Sequence, residues 1–415
     1  MKKIIGLILC LILCVGCLSF VGCKEEQENG STNVSDQKVV MVGDSLYAYW
    51  KDTCATDLGL SNVTNLASSG SSALYWSKSN IIERVAKQNP DIILVCLGTN
   101  DVIDLNRRGD CAAKGGNDGY EFSLQSVLTS LHNACPNAKI YYQTINLCPE
   151  SNRWRLRNEI NVANHYMRKF CEQNDWVELI ETEYAFYDNE DYSVPPSHDY
   201  FADTLHFSKK GYDRLKSIIR QALGLEEKTF NFPFGFERTV LLGDSIIDFW
   251  ETYERHLNGL ENMANIGVGG TTADYWLERA DYVIGLNPDV LIMNIGTNDV
   301  ALGWPLDTIS RNIEQFFTAI HQAYPNAKLY IITVQICGAR WEMRDLMRSL
   351  NEQTREFCEQ NDWIDYIEAE NVMYDNEDYS VPPNSQYFWN DLLHYNENGY
   401  VKLAEVIREK LGLSA

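Results

Sequence analysis

Ile92-Ile93-Leu94-Val95-Cys96-Leu97-Gly98-Thr99-Asn100-Asp101 is an unbroken apolar run that stops at a glycine and turns polar at once. A strand with one face in water alternates apolar and polar residues, whereas a run without alternation suits a strand covered on both faces, as in a parallel sheet between helices. The pattern returns in the second half, where Leu291 to Ile295 lead into Gly296-Thr297-Asn298-Asp299. Further strand-like runs lie at Val39 to Val42, Ile140 to Ile145 and Val177 to Ile180, with helical patterns between them. The clearest helix comes last. Tyr212, Leu215, Ile218, Ile219 and Leu223 share one face and Gly224 stops it, as Tyr400, Leu403, Val406, Ile407 and Leu411 do before Gly412. Alternating strands and helices of this kind predict a three-layer α/β domain with ligands at the carboxyl ends of the strands.

The polar residues of interest gather at those ends. Upstream, apolar runs enter Val42-Gly43-Asp44-Ser45-Leu46 and Leu242-Gly243-Asp244-Ser245-Ile246, turns that hold a serine out of the sheet. After a short candidate strand come Asn65-Leu66-Ala67-Ser68-Ser69-Gly70 and Asn265-Ile266-Gly267-Val268-Gly269-Gly270. Just before each final helix stand Asp203-Thr204-Leu205-His206 and Asp391-Leu392-Leu393-His394. A serine hydroxyl needs a base to take its proton, and an imidazole base needs a partner that fixes its tautomer. Asp and His three apart can supply both from one loop. Each fragment alone also has an ordinary reading: Gly-Asp-Ser is a common turn composition, and a histidine before a helix is usually a cap or a packed residue. Their fixed order, met twice, reverses that.

In this order the blocks resemble those of the SGNH/GDSL hydrolase family, and the resemblance covers nearly all of both halves. It implies that Ser45 and Ser245 are nucleophiles, His206 and His394 general bases, and Asp203 and Asp391 their orienting acids. It also implies one oxyanion hole from the amides of Ser45 and Gly70 with the Asn100 side chain, and another from Ser245, Gly270 and Asn298. The family fold is a flavodoxin-like sheet of about five parallel strands, and neither a metal nor an organic cofactor is called for. The Gly-x-Ser-x-Gly elbow of α/β-hydrolases is absent from the sequence.

Longer repeats fix the organisation. Pro136-Asn137-Ala138-Lys139 returns at Pro325 to Lys328, Cys171 to Trp176 at Cys358 to Trp363, and Tyr187 to Pro196 at Tyr374 to Pro383. The expected architecture is therefore two tandem α/β/α domains, 38–225 and 236–413, joined by a linker 226–235 that carries Phe230, Phe232 and Phe234 and can pack between them. The first copy has extra sequence around Asn106 to Gly119, including Cys111, which reads as a surface loop. With Ala67 in place of Gly267, that loop suggests two pockets of different preference.

The 415 residues suit two domains of this size, and 45% hydrophobic with 22% charged residues is an ordinary globular balance. A net charge of −23 opposes binding to nucleic acid phosphates or to anionic lipid headgroups. At the start, Lys2 and Lys3 precede an apolar run that closes on Phe20-Val21-Gly22-Cys23 and resembles a bacterial lipobox. This predicts a signal peptide 1–22, acylation of Cys23 with Cys17 as second choice, a polar tether 23–37, and a lipid-anchored protein at the cell surface; an uncleaved anchor is the alternative. Export permits disulfides among Cys148, Cys171, Cys337 and Cys358, and buried free thiols fit the sequence equally well.

Asp188-Asn189-Glu190-Asp191 lacks the alternating spacing of a calcium loop and reads as a solvated turn. Before each Asp-x-x-His lies an aromatic cluster, Tyr184, Phe186, Tyr187, Tyr192, Tyr200 and Phe201, echoed by Tyr374, Tyr379, Tyr387, Phe388 and Trp389. Core packing accounts for part of it, and the rest can stack on sugar rings or line an acyl pocket. The expected activity is hydrolysis of acyl esters, foremost acetyl esters on extracellular carbohydrate. A lysophospholipid or other short-chain lipid ester is the alternative substrate, and a non-catalytic glycan-binding role for one copy is the alternative of another class.

Overall fold

The computed structural model describes residues 34–107, 120–149, 154–188, 194–227, 238–260, 262–376 and 378–413. The leader with Cys17 and Cys23, the extra loop with Cys111, Asn189 to Tyr192 and the three linker phenylalanines lie outside the described residues.

Two parallel five-stranded sheets form from the two halves. In the first, β1 (Lys38–Gly43), β2 (Asn62–Asn65), β3 (Ile92–Cys96), β4 (Lys139–Gln143) and β5 (Val177–Ile180) stand in the order β2-β1-β3-β4-β5. The second repeats that order with β6 (Thr239–Gly243), β7 (Ala264–Asn265), β8 (Val290–Asn294), β9 (Lys328–Ile332) and β10 (Ile364–Ile367) as β7-β6-β8-β9-β10. β3 is buried at every residue, as its unbroken apolar run requires, and alternate side chains of β1 and β3 enter separate cores on the two faces of the sheet. The chain order reverses between β1 and β3 and between β6 and β8. Such a reversal opens a crevice at the carboxyl ends of the strands.

β4 ends two residues earlier than the apolar run suggests. The N–H of Ile145 donates to Asn164 Oδ1 and its carbonyl accepts from Asn164 Nδ2, both at 2.8 Å, so a side chain takes over from the ladder. Val334 and Asn351 repeat this in the second half at 2.7 and 2.8 Å. The final helices run Lys209–Ala222 and Glu397–Leu411, each followed by a left-handed glycine, Gly224 or Gly412. All seven described cysteines are free, so Cys148, Cys171, Cys337 and Cys358 are thiols and not disulfides.

The two lobes share buried surface. Val162, on the helix Arg157–Glu172 of the first, belongs to the apolar core of the second. Tyr166 Oη donates to the Asp281 carbonyl over 2.6 Å, and Arg238 donates to Tyr184 Oη at 2.8 Å and to the Leu286 carbonyl at 2.9 Å. A cavity of about 790 Å³ lies along this junction, lined by residues such as His165, Arg168, Glu183, Tyr184 and Tyr324. Its described lining includes no residue of either serine turn.

Candidate active site

Each serine opens the short helix that follows the first strand of its lobe, Ser45–Ala48 after β1 and Ser245–Asp248 after β6. The preceding aspartate caps that helix: Leu46 N donates to Asp44 Oδ1 at 2.9 Å and Ile246 N to Asp244 Oδ1 at 3.0 Å. Both aspartates are fully buried, and burial pushes each carboxyl up to about 7 against the pull of that amide.

The Asp-x-x-His loops close over the serines. His206 Nε2 lies 3.0 Å from Ser45 Oγ and its Nδ1 2.7 Å from Asp203 Oδ2. The second lobe repeats this at 2.9 Å from His394 to Ser245 and 2.7 Å from His394 to Asp391. Partial burial would raise the Asp203 carboxyl, but the His206 ring and the amides of His206 and Leu205 together hold it down at about 2. Asp391 is lowered too, its burial outweighed by the matching bonds. An ionised carboxylate can only accept, so Nδ1 carries the proton and Nε2 turns its lone pair to the serine hydroxyl. The tautomer therefore follows from geometry and charge.

Opposite the histidines, the strand-end segments are tied to one another. Asn65 Nδ2 donates to the Tyr47 carbonyl at 2.9 Å and Asn265 Nδ2 to that of Ile247 at 2.7 Å, fixing the glycine loop to the serine helix. Asn100 Nδ2 donates to the Ser71 carbonyl at 2.9 Å and Asn298 Nδ2 to that of Thr271 at 3.0 Å. Gly70 and Gly270 hold φ of +73° and +79°, and a Cβ on either would meet nothing within 4 Å, so both face open space. Gly269 is packed close to the nucleophile turn, its would-be Cβ 3.8 Å from Ser245 Cβ.

Some contributors have no role in the chemistry that the sequence implies. Asp101 takes the Ala73 amide on both oxygens, at 2.9 and 3.1 Å, and Asp299 takes that of Ala273 at 3.0 Å. The last residue of Gly-Thr-Asn-Asp thus anchors the glycine loop; burial raises Asp299 to about 6. Three further bonds are seen in the second lobe: Arg340 donates to Thr297 and to Asn298, and Gly269 N donates to Asp248 Oδ2 at 2.8 Å, where the first lobe has Ala48.

The rims differ as well. Tyr49, 60% exposed, leans on His206 with ring centroids 4.6 Å apart. In the second lobe Phe249 takes that place at 4.9 Å from His394 and stacks with Trp389, which is 50% exposed. Most of the other clustered aromatics, Tyr184, Phe186, Tyr187, Tyr200 and Phe201 with Tyr387 and Phe388, are core.

Sheet order and a duplicated Asp-His-Ser line of hydrogen bonds describe two flavodoxin-like α/β/α lobes with matching clefts, and comparison with known proteins gives their class. The model of the GDSL-like Lipase/Acylhydrolase family matches residues 31–214 and again 241–402. The chain belongs to this family and is a carboxylic ester hydrolase.

Among solved structures, a GDSL-like lipase from Bacteroides thetaiotaomicron is similar at 23% identity and a TM-score of 0.38, covering 42% of this chain and 88% of its own. A catalytic mutant of an acetylxylan esterase from Geobacillus stearothermophilus matches at 17% and 0.36, covering 43% and 95%. A family 3 carbohydrate esterase from Clostridium thermocellum matches at 16% and 0.33, covering 42% and 94%. No curated protein matches the sequence.

Proposed function

We propose that each lobe is a serine esterase that transfers an acyl group from an ester to water. The observation that carries this reading is the hydrogen-bonded line from Asp203 through His206 to Ser45, present again in Asp391, His394 and Ser245. As Oγ attacks the ester carbonyl, its proton passes to Nε2, and the aspartate stabilises the imidazolium that forms. The amides of Ser45 and Gly70 with Asn100 Nδ2, or of Ser245 and Gly270 with Asn298 Nδ2, receive the oxyanion. Collapse expels the alcohol, which takes the proton back from the imidazolium. Water, deprotonated by the same histidine, then releases the acid and restores the serine.

The substrate class proposed is an acetyl ester on carbohydrate. The open aromatic faces of Tyr49, Phe249 and Trp389 beside the histidines suit the flat apolar faces of sugar rings. A cavity of about 10 Å³ bounded by Ile246, Thr297, Cys337 and Leu393 borders the second serine turn. It has room for one group of water or methyl size. The proposed setting is the cell surface, with Cys23 acylated; Cys23→Ala should release the protein from the membrane fraction, and continued retention would favour an uncleaved anchor.

Wild type, Ser45→Ala, Ser245→Ala and the double variant, assayed on acetylated xylo-oligosaccharides and on lysophospholipids, test the mechanism and the class together. Each single change should remove one lobe's share of deacetylation and the double change all of it. Turnover surviving the double change would overturn the mechanism, loss in only one single variant would make the other lobe accessory, and faster lysophospholipid release would replace the substrate class.

A further inference from the structure

Arg340 sits on the turn Gly338–Met343, at the rim of the second site. Its Nη2 donates to Asn298 Oδ1 over 2.9 Å and its Nη1 to Thr297 Oγ1 over 2.8 Å. A guanidinium has five donors and no acceptor, so only the amide oxygen of Asn298 can face it. Nδ2 must then point the other way, where one of its hydrogens goes to the Thr271 carbonyl at 3.0 Å. The second hydrogen is left over. With its oxygen held by a cation, the amide nitrogen also becomes a stronger donor, as hydrogen bonds in a chain polarise one another.

Without Arg340 only the Thr271 carbonyl would favour this orientation over its nearly isosteric flip, which would turn the amide oxygen toward a developing oxyanion. We propose that Arg340 is a positioning residue for the second oxyanion site, holding Asn298 in the one orientation that donates and adding positive charge one amide away from the negative charge that forms. This rests on the reading of Asn298 as an oxyanion donor. The surroundings give the charge a further use, since Arg340 also draws down the buried Asp244 carboxyl that burial raises. The neighbouring loop is fixed independently by the bond from Gly269 N to Asp248. In sequence the feature can be found as Arg340-Trp341-x-x-Arg344, which returns as Arg153-Trp154-x-x-Arg157. Arg344 lies over Trp341 at 4.5 Å and Arg157 over Trp154 at 5.0 Å. Arg153 is outside the described residues, so the assignment is made for the second lobe.

The test uses the full chain with Ser45→Ala, so that the second lobe alone turns over an aryl acetate. Arg340→Met should lower kcat about 10- to 100-fold, the usual scale for a misplaced donor, while KM moves little. Guanidinium added to Arg340→Ala should restore part of kcat, a rescue that a purely structural defect would not show. Arg340→Lys should fall between, because a point charge cannot bridge Thr297 and Asn298 together. In an Asn298→Ala background, Arg340→Met should cost almost nothing more, since the two act as one unit. Full kcat in Arg340→Met, a loss confined to KM, or an undiminished loss in the Asn298→Ala background would each overturn the proposal. Full activity in Asn298→Ala alone would instead remove the oxyanion reading beneath it. Should Arg340→Met fold poorly by calorimetry, Thr297→Val, which frees only Nη1, gives the same comparison and should show a smaller kcat loss.

Discussion

The backbone N–H of Trp389 donates to the carbonyl of His394 over 2.8 Å, and Ala202 makes the same bond to His206 over 2.7 Å. The two residues thus occupy one place in the fold, and only the second lobe fills it with an indole. Phe249 stacks with it at 6.2 Å and 20° between planes, extending a flat apolar face beside the histidine. An aromatic contact of this type contributes about 0.5–1.5 kcal/mol. Trp389→Ala in the Ser45→Ala chain should therefore lower kcat/KM on acetylated oligosaccharides roughly two- to tenfold, by the usual tenfold for each 1.4 kcal/mol. Turnover of a small aryl acetate should stay level. Equal loss on both substrates would assign the tryptophan to the histidine's support and not to the sugar.

Removal of the side-chain donor should be costly in each lobe. Asn100→Ala in the Ser245→Ala chain and Asn298→Ala in the Ser45→Ala chain should each reduce kcat by about 10²–10³, the measured scale for losing one oxyanion donor. Both asparagines also hold a loop carbonyl, at 2.9 and 3.0 Å. Asn→Asp separates these functions: it keeps the shape, loses the donor and puts negative charge beside the oxyanion, so its kcat should be lower still. An Asp variant faster than Ala would contradict the assignment.

The orienting acid makes a statement about pH. Asp203 has its carboxyl held at about 2, below the usual carboxylate range, so its contribution is complete above about pH 4 and is lost only as pH falls toward that value. Asp203→Asn should then cost about 10⁴ in the first lobe's kcat, as loss of the acid does in serine proteases. The deficit should be flat across the weakly acidic and neutral range, because the group removed is charged throughout. A deficit that shrinks on acidification from about pH 7 to 5 would mean that Asp203 protonates there and that the histidine and the loop amides do not hold its carboxyl down.

Much of this site was open to reading because each strand end exposes a short polar block directly after an apolar run. Ser45, Asn100 and the Asp203–His206 loop lie far apart in sequence, yet a parallel sheet gathers its strand ends on one edge. The contacts that depend on side-chain reach were not open in the same way. Asp101 ends the Gly-Thr-Asn-Asp block, but its partner Ala73 is in another segment, and the bond exists only because two loops follow one another's path. Arg340 stands in a repeated Arg-Trp-x-x-Arg pattern, but nothing in that pattern says that its guanidinium reaches Asn298. Free thiols and disulfides likewise give the same spacing, and only the burial of Cys148 and Cys337 as separate free thiols decides between them. Trp389 belongs to a cluster that is mostly core, so its exposure had no composition signal.

The buried caps predict an opposite pH trend for stability. Burial raises Asp244 to about 7, and one of its oxygens has no hydrogen-bond partner. Between about pH 4 and 7 the folded chain therefore binds more protons than the unfolded chain, so stability falls as pH rises through that window and levels off above it. Every tenfold difference in proton affinity between the two states is worth about 1.4 kcal/mol. Asp244→Asn keeps the acceptor for Ile246 N and removes the charge, so the variant should match wild type near about pH 4 and exceed it near about pH 8, read as urea midpoints. A variant less stable than wild type at the higher pH would show that the carboxylate finds compensation there.

Lobe coupling can be tested at one glycine. A Cβ on Gly285 would lie 2.7 Å from Val162 Cγ1 and 3.2 Å from Tyr166 Cε2, both on the first lobe's helix. No side chain fits there without separating the helices Arg157–Glu172 and Ala280–Gly285. Overpacking of this kind costs about 1–3 kcal/mol. Because Val162 is part of the second lobe's core, the wild-type chain should unfold in one calorimetric transition, and Gly285→Val should split or broaden it into two. The serine sites sit on the strand ends and not on this junction, so each lobe should keep its esterase activity below the first transition. An unchanged single transition in Gly285→Val would mean that the helices yield to the new methyls, and that the lobes are coupled elsewhere.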